Sequence, residues 1–152
     1  MTAAELERYL HDAIPLSVAM GVRVAEASVA RVVLEAPLAP NLNHRATAFG
    51  GSVAALATLA GWALIHLRLV AEGVEARTVI QKTEIDYLAP IDGAFAAVAD
   101  APDPADWDRF ARALGSRRRG RLHVGVRVQQ NAVTAATLRG AYVALLHEVG
   151  DR

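Results

Sequence analysis

No cysteine occurs in this 152-residue chain. Its absence excludes disulfides, thiolate nucleophiles and cysteine-based metal sites. It is also compatible with a reducing cytosol, and a cytoplasmic location is expected. Neither sign of charge is in excess, with 16 basic and 16 acidic residues and a formal net charge of +0. Without a basic surplus to neutralise phosphates, nucleic-acid binding is not expected. No uninterrupted apolar run reaches membrane length: the strongest candidate, Ser52 to Ile65, covers about 14 residues before His66 and Arg68, where a span needs roughly 20. A buried helix is the better reading, and no membrane is expected as a partner. The N-terminal stretch carries Glu5 and Glu7 in an amphipathic pattern, unlike a secretory leader.

Apolar residues are plentiful, at 53% of the chain against 21% charged. That is enough for a packed core and argues against disorder. No repeat, linker or low-complexity segment interrupts the sequence, so one domain over residues 1–152 is expected.

The pattern along the chain predicts helices and strands in a definite order. Thr2 to His11 reads as a short helix opened by a capping box, Thr2 with Glu5, and Pro15 ends that region. Val22 to Ala27 and Arg31 to Ala36 favour short strands. Gly51 to Val70 is apolar nearly all round, the mark of a helix swallowed by the fold, and Gly73 is a C-cap candidate. Its small residues Ala54, Ala55, Ala57, Ala60, Gly61 and Ala63 would permit close approach of a sheet. Arg77 to Leu88 is a strand, Asp92-Gly93 a turn, and Ala94 to Ala99 the returning strand. Asp103 caps a helix with Pro104 in its first position, and Gly115 stops it. Leu122 to Gln129 alternates as a half-buried strand, and Val133 to Leu146 is a last long strand.

One central apolar helix with a run of mainly antiparallel strands implies an α+β fold, a sheet wrapped around that helix. The segment that opens the helix, Asn41 to Ser52, runs from a polar loop into Gly50-Gly51. A helix start offers backbone N–H groups and partial positive charge, a natural place to hold an oxygen that becomes negative in a reaction.

The element order resembles the hotdog fold, a curved antiparallel sheet wrapped around a long central helix. Asn43 with Phe49-Gly50-Gly51 resembles the active-site segment of hotdog thioesterases, and Tyr87-Leu88-Ala89-Pro90 resembles a strand ending common in them. More narrowly, Asn41 to Trp62 is similar to the putative-thioesterase domain at the C-terminus of bacterial YiiD proteins.

The resemblance implies roles for particular residues. The N–H groups of Gly50 and Gly51 would hold the thioester oxygen, glycine letting a ligand approach the backbone closely. Without the resemblance, the pair is simply a helix entry packed near a strand. Asn43 stands six residues before Phe49, as an Asn does in hotdog thioesterases of the phenylacetyl-CoA type, where it would orient the carbonyl or a water. The plainer reading of Asn43 is a turn residue, and Asn41 is assigned to turn chemistry. Many relatives carry His where Phe49 stands. An apolar ring transfers no proton, so Phe49 would line an acyl or pantetheine channel.

Thr58 is the larger departure. Those thioesterases keep Asp or Glu there as base or nucleophile, and threonine is neither a base nor, unaided, a nucleophile. Loss of a general base costs on the order of 10²–10⁴ in rate. Thr58 would hydrogen-bond a carbonyl, position a water, or bond back to its own helix. His44 is the nearest titratable group in the loop, a candidate water activator or a solvated side chain. Thr47 and Ser52 are candidates to cap the helix or donate to a substrate carboxylate. Ser52 lies in no readable Ser–His–Asp set. Arg117, Arg118 and Arg119 belong to a basic cluster suited to coenzyme A phosphates or an acidic acyl carrier protein, or to a solvated loop after a helix. His66, His123 and His147 show no metal-ligand spacing and read as structural; no metal is expected.

The implied activity is chemistry on acyl thioesters of coenzyme A or acyl carrier protein, as a thioesterase. Decarboxylation of a malonyl thioester at the same oxyanion site needs no base and is an alternative; a non-catalytic acyl-thioester binding module is another. The expected cofactor list is empty, coenzyme A or phosphopantetheine entering as part of the substrate. A homodimer is expected, and a dimer of dimers stays open, with sites at the subunit interface.

Overall fold

The computed structural model describes residues 1–146, and His147 lies outside them. Helix α1 (Ala3–Ala13) opens with the expected capping box: Glu5 N donates to Thr2 Oγ1 at 3.2 Å, and Thr2 N donates to Glu5 Oε2 at 2.6 Å. Leu6 and Leu10 bury its apolar side. Pro15 does more than end that region. It opens a second short helix, α2 (Pro15–Ala19), from a first position where the missing N–H has no intrahelical partner to lose.

Strands β1 (Arg23–Ala27) and β2 (Arg31–Ala36) pair antiparallel. Helix α3 (Gly50–Ala71) follows the polar loop. It is long and apolar enough to cross a membrane by length and composition, and here it is packed into the fold, with Leu56, Ala60, Leu64 and Leu67 buried in the core cluster. Gly73, at φ 69°, takes the left-handed turn that releases the chain from the helix.

Then come β3 (Ala76–Tyr87), β4 (Phe95–Asp100), α4 (Pro104–Arg117), β5 (Arg119–Gln130) and β6 (Val133–Leu146). The six strands form one sheet in the order β1-β2-β4-β5-β6-β3, and every neighbouring pair is antiparallel. The sheet curves around α3, which is the hotdog arrangement. β5 and β6 join through Asn131-Ala132, both at positive φ (50° and 63°), a turn whose twist suits paired strands.

Two local expectations are corrected. The Asp92-Gly93 turn does not return β3 onto itself, because β3 pairs with β6 while β4 pairs with β2 and β5. The connection instead crosses the ends of the intervening strands. Leu88 N donates to Ala135 O of β6 at 2.8 Å, and Gln130 of β5 clamps Asp92 through bonds of 3.0 and 2.6 Å. The second correction concerns α4. It runs through Gly115 to Arg117, and Arg118 takes the left-handed conformation at its end (φ 58°). Its N-terminus is as expected, Asp103 accepting from Ala105 N at 2.8 Å.

The core lies between the sheet and α3. Tyr142 of β6 is its largest fully buried side chain. Helix α4 adds Trp107, Phe110 and Leu114 to the same cluster, beside the last turn of α3. There Trp107 donates to Glu72 at 2.8 Å, and the Arg68 guanidinium lies 4.1 Å from its ring centre.

Candidate functional site

The loop before α3 is tied down from both sides. Asn41 is buried and donates to Met20 O at 2.9 Å and Pro37 O at 2.7 Å, while its backbone carbonyl accepts from Phe49 N at 2.7 Å. Ala48 N donates to Ile91 O of the crossing segment at 2.8 Å. Asn43 organises the tip. Its Oδ1 accepts from Arg45 N at 2.8 Å and Thr47 N at 3.2 Å, and its Nδ2 donates to Thr47 Oγ1 at 2.8 Å. Asn43 and Thr47 thus spend their side chains on each other and on the loop. His44 projects from the same tip, exposed.

Phe49 takes the cap position of α3 without capping it, and no side chain accepts from the helix start. The first N–H groups, those of Gly50, Gly51 and Ser52, therefore point out of the helix as donors. The glycine pair faces two ways. Gly50 sits under Tyr87, whose hydroxyl donates to the Gly50 carbonyl at 2.8 Å; a Cβ there would come within 3.3 Å of the ring. Gly51 lies under the exposed Phe49 ring, and a Cβ there would overlap it.

Gly51 also opens onto an apolar groove of about 570 Å³. Its floor is one face of α3 at helical spacing: Gly51, Ala54, Ala55, Thr58, Leu59 and Trp62. Ile14, Leu16, Ser17 and Met20, in and around α2, form one wall; Ile80 and Thr83 of β3, with Tyr142, form the other. No acidic, basic or imidazole side chain is among these residues. Ala54 and Ala55, expected to receive the sheet, are only half-buried and open this groove, while Ala57, Ala60, Gly61 and Ala63 are the small residues buried in the fold.

Thr58 faces the groove two turns along from Gly51. Its hydroxyl does not bond back to its helix, nor to any other described residue. Its carbonyl accepts from Tyr142 Oη at 2.8 Å. Burial pushes the Tyr142 phenol above its ordinary range, so Tyr142 serves as a neutral donor. Ser52 is half-buried and likewise makes no side-chain hydrogen bond to a described residue.

Beyond Trp62 the groove meets a stack of rings. His66 lies 4.8 Å from Trp62 and 4.9 Å from Tyr9, nearly parallel to both. The indole N–H of Trp62 donates to Thr78 O at 2.9 Å. Burial holds His66 below the usual imidazole range, keeping it neutral, and its buried Nε2 has no partner among the described residues.

A second cleft, of about 720 Å³, is cationic. Arg117 and Arg119 line it as the sequence suggests, joined by Arg109, Arg121 and Arg139 from α4, β5 and β6; Arg118 does not. Asp106 forms a 3.1 Å pair with Arg109. Arg117, Arg119, Arg121 and Arg139 make no ion pair with a described residue. His123, also at the cleft, is held below its ordinary pKa by partial burial and by the charges of Arg139 and Arg121. Among the described residues, no group of three or more His, Asp or Glu could hold a metal ion.

A family model, described as the putative thioesterase YiiD_C, matches residues 3–146. Solved structures agree with it. A protein of unknown function from Chlorobaculum tepidum TLS is 25% identical, with 95% of this chain and 94% of that one covered and a TM-score of 0.89. A putative thioesterase from Shewanella oneidensis is 27% identical, with 94% and 96% covered and a TM-score of 0.83. A mutant of the phenylacetic acid degradation protein PaaI from Thermus thermophilus, 23% identical over 87% of this chain and 99% of that one, shares the fold at a TM-score of 0.65.

Proposed function

The chain belongs to the YiiD_C putative thioesterase family, and on that premise we propose that it acts on acyl thioesters at the start of α3. The thioester oxygen lies against the N–H groups of Gly50 and Gly51, where the helix end favours developing negative charge. The acyl tail runs along the groove. The observation that carries this reading is that Gly51 and the unpaired Thr58 hydroxyl open onto one groove with no charged lining. In hydrolysis, Thr58 positions the water whose oxygen attacks the carbonyl carbon; the carbon–sulfur bond breaks and the thiol leaves with a proton. Asn43 and Thr47 act by shaping the loop that aims Gly50 and Gly51, and Phe49 covers the mouth.

No base lines the groove, and this favours a second reading for one substrate. Malonyl thioesters would lose CO₂ by cleavage of the bond to the carboxyl carbon. The electrons pass to the carbonyl oxygen, and the α-carbon then takes a proton from solvent. That step needs only the oxyanion contacts.

The carrier's phosphates, or the acidic face of a carrier protein, fit the arginine cleft, since guanidinium forks match phosphate and carboxylate oxygens. A homodimer joined along β3 fits its 12-residue open edge, where Val79 and Ile80 are exposed.

The test is a panel of malonyl, acetyl and longer acyl thioesters of coenzyme A and of acyl carrier protein, following free thiol and CO₂ separately. Thiol release is the expected result. CO₂ with an acetyl thioester and no thiol would establish decarboxylation, and binding without either product would make the protein a thioester-binding module.

A further inference from the structure

We infer that Trp62 sets the upper length of the acyl chain that this groove accepts. The inference rests on the thioester reading above and adds the substrate class: straight acyl chains of medium length. The occupant's reacting head belongs at Gly51, where the donors are, and from there its tail follows the α3 face that floors the groove. That face ends at Trp62, the last α3 residue on the groove. Gly51 and Trp62 are eleven residues apart, about 16 Å at the rise of an α-helix. A two-carbon acyl group would leave most of that length empty, and apolar surface left uncovered by ligand contributes nothing to affinity.

The far wall is built not to move. The indole N–H is fixed on Thr78 O at 2.9 Å, and its ring is backed by His66 and Tyr9. His66 is kept neutral there by burial, so the backing is a flat ring rather than a hydrated charge. A side chain anchored on two sides makes a sharp limit, because a longer chain must displace it rather than slide past. Ala54 and Ala55 work in the opposite sense: their small side chains leave the space between head and wall open.

The experiment titrates the purified protein with saturated fatty acids of increasing length, following tryptophan emission, and in parallel measures kcat/KM for the matching acyl-coenzyme A series. Wild type should show an emission change that is lost in Trp62→Phe, because Trp107 lies at the other end of α3. Affinity should rise with length to a limit and then fall. Trp62→Ala and Trp62→Phe should move that limit to longer chains, with about a tenfold gain just beyond the wild-type limit, the scale of one or two methylenes in a pocket. Ala55→Leu, which leaves Trp62 in place, should move it to shorter chains. The inference is overturned if folded Trp62 variants and Ala55→Leu all keep the wild-type length profile. Fatty acids that bind with this profile while no thioester is turned over would leave the inference standing and sink the enzymatic reading.

Discussion

Tyr142 of β6 lies so close over Gly61 of α3 that a Cβ on Gly61 would overlap its phenol, while its hydroxyl bonds the Thr58 carbonyl one turn earlier. The sheet thereby reaches the helix backbone beside the groove without any side chain of the helix between them. Gly61→Ala should destabilise the protein by about 1–3 kcal/mol, the usual cost of overpacking a filled core. Tyr142→Phe should cost about 1 kcal/mol, the worth of one buried hydrogen bond. Urea unfolding midpoints at constant slope check both.

Thr58→Asp should turn a base-free groove into a hydrolytic one. Surrounded by Ala54, Leu59 and Trp62, the new carboxylate would have its pKa raised by desolvation. Thiol release should therefore increase at least tenfold, within the range a general base contributes, and should climb with pH through that raised value. Thr58→Val, which keeps the shape and removes the hydroxyl, should lower the rate. A folded Thr58→Asp protein with an unchanged rate would remove Thr58 from the reacting centre.

Charge reversal at Arg121 and Arg139 separates the handle from the reacting centre. Both line the cationic cleft, and neither lies within ion-pair distance of a carboxylate among the described residues. Each Glu variant should raise KM for a coenzyme A thioester about tenfold, the scale of one charge-assisted contact. KM for an N-acetylcysteamine thioester, which has no phosphate, should not change. Added salt should narrow the gap between wild type and variants.

Acid should weaken the fold through its histidines. His66 is held below the ordinary imidazole value of 6.5 by burial, so above that pH neither folded nor unfolded chain carries its proton. As pH falls below 6.5 the unfolded chain binds the proton first, and stability is lost down to the lower folded pKa. His123, also lowered, adds to the same trend. Melting temperatures at about pH 7.5 and about pH 5, on either side of the imidazole range, should differ less in His66→Phe than in wild type. That substitution keeps a ring against Trp62 and removes the unpartnered Nε2.

Local signals in the sequence map well onto local structure. The Thr2 capping box, the Asp103-Pro104 helix start and the uninterrupted apolar run of α3 each depend on residues within a turn or two of one another. Strand order depends on partners far apart, and there the Asp92-Gly93 pair misleads. Neither residue adopts a positive φ, and Gln130 holds Asp92 to a strand laid down later. The site divides the same way. The run from Arg117 to Arg121 is visible in the sequence, but Arg109 and Arg139 join it only through tertiary packing. The groove leaves one trace: the spacing Gly51, Ala54, Ala55, Thr58, Leu59, Trp62 marks one helical face. That face does not read as a cavity because small residues on a buried helix equally well receive a sheet, as Ala60 and Gly61 do.

The bond from Ala48 N to Ile91 O makes the shape of the loop before α3 depend on a segment more than forty residues further along the chain. Ile91 follows β3, whose neighbour in the sheet is β6, the last strand along the chain. The loop that aims the helix start therefore rests on contacts with distant parts of the chain, although it lies in the chain's first third. Long-range closures of this kind are slow. A nascent or partly unfolded chain can already hold α3 as a helix while lacking a working site, so refolding monitored by helicity should run ahead of the return of activity.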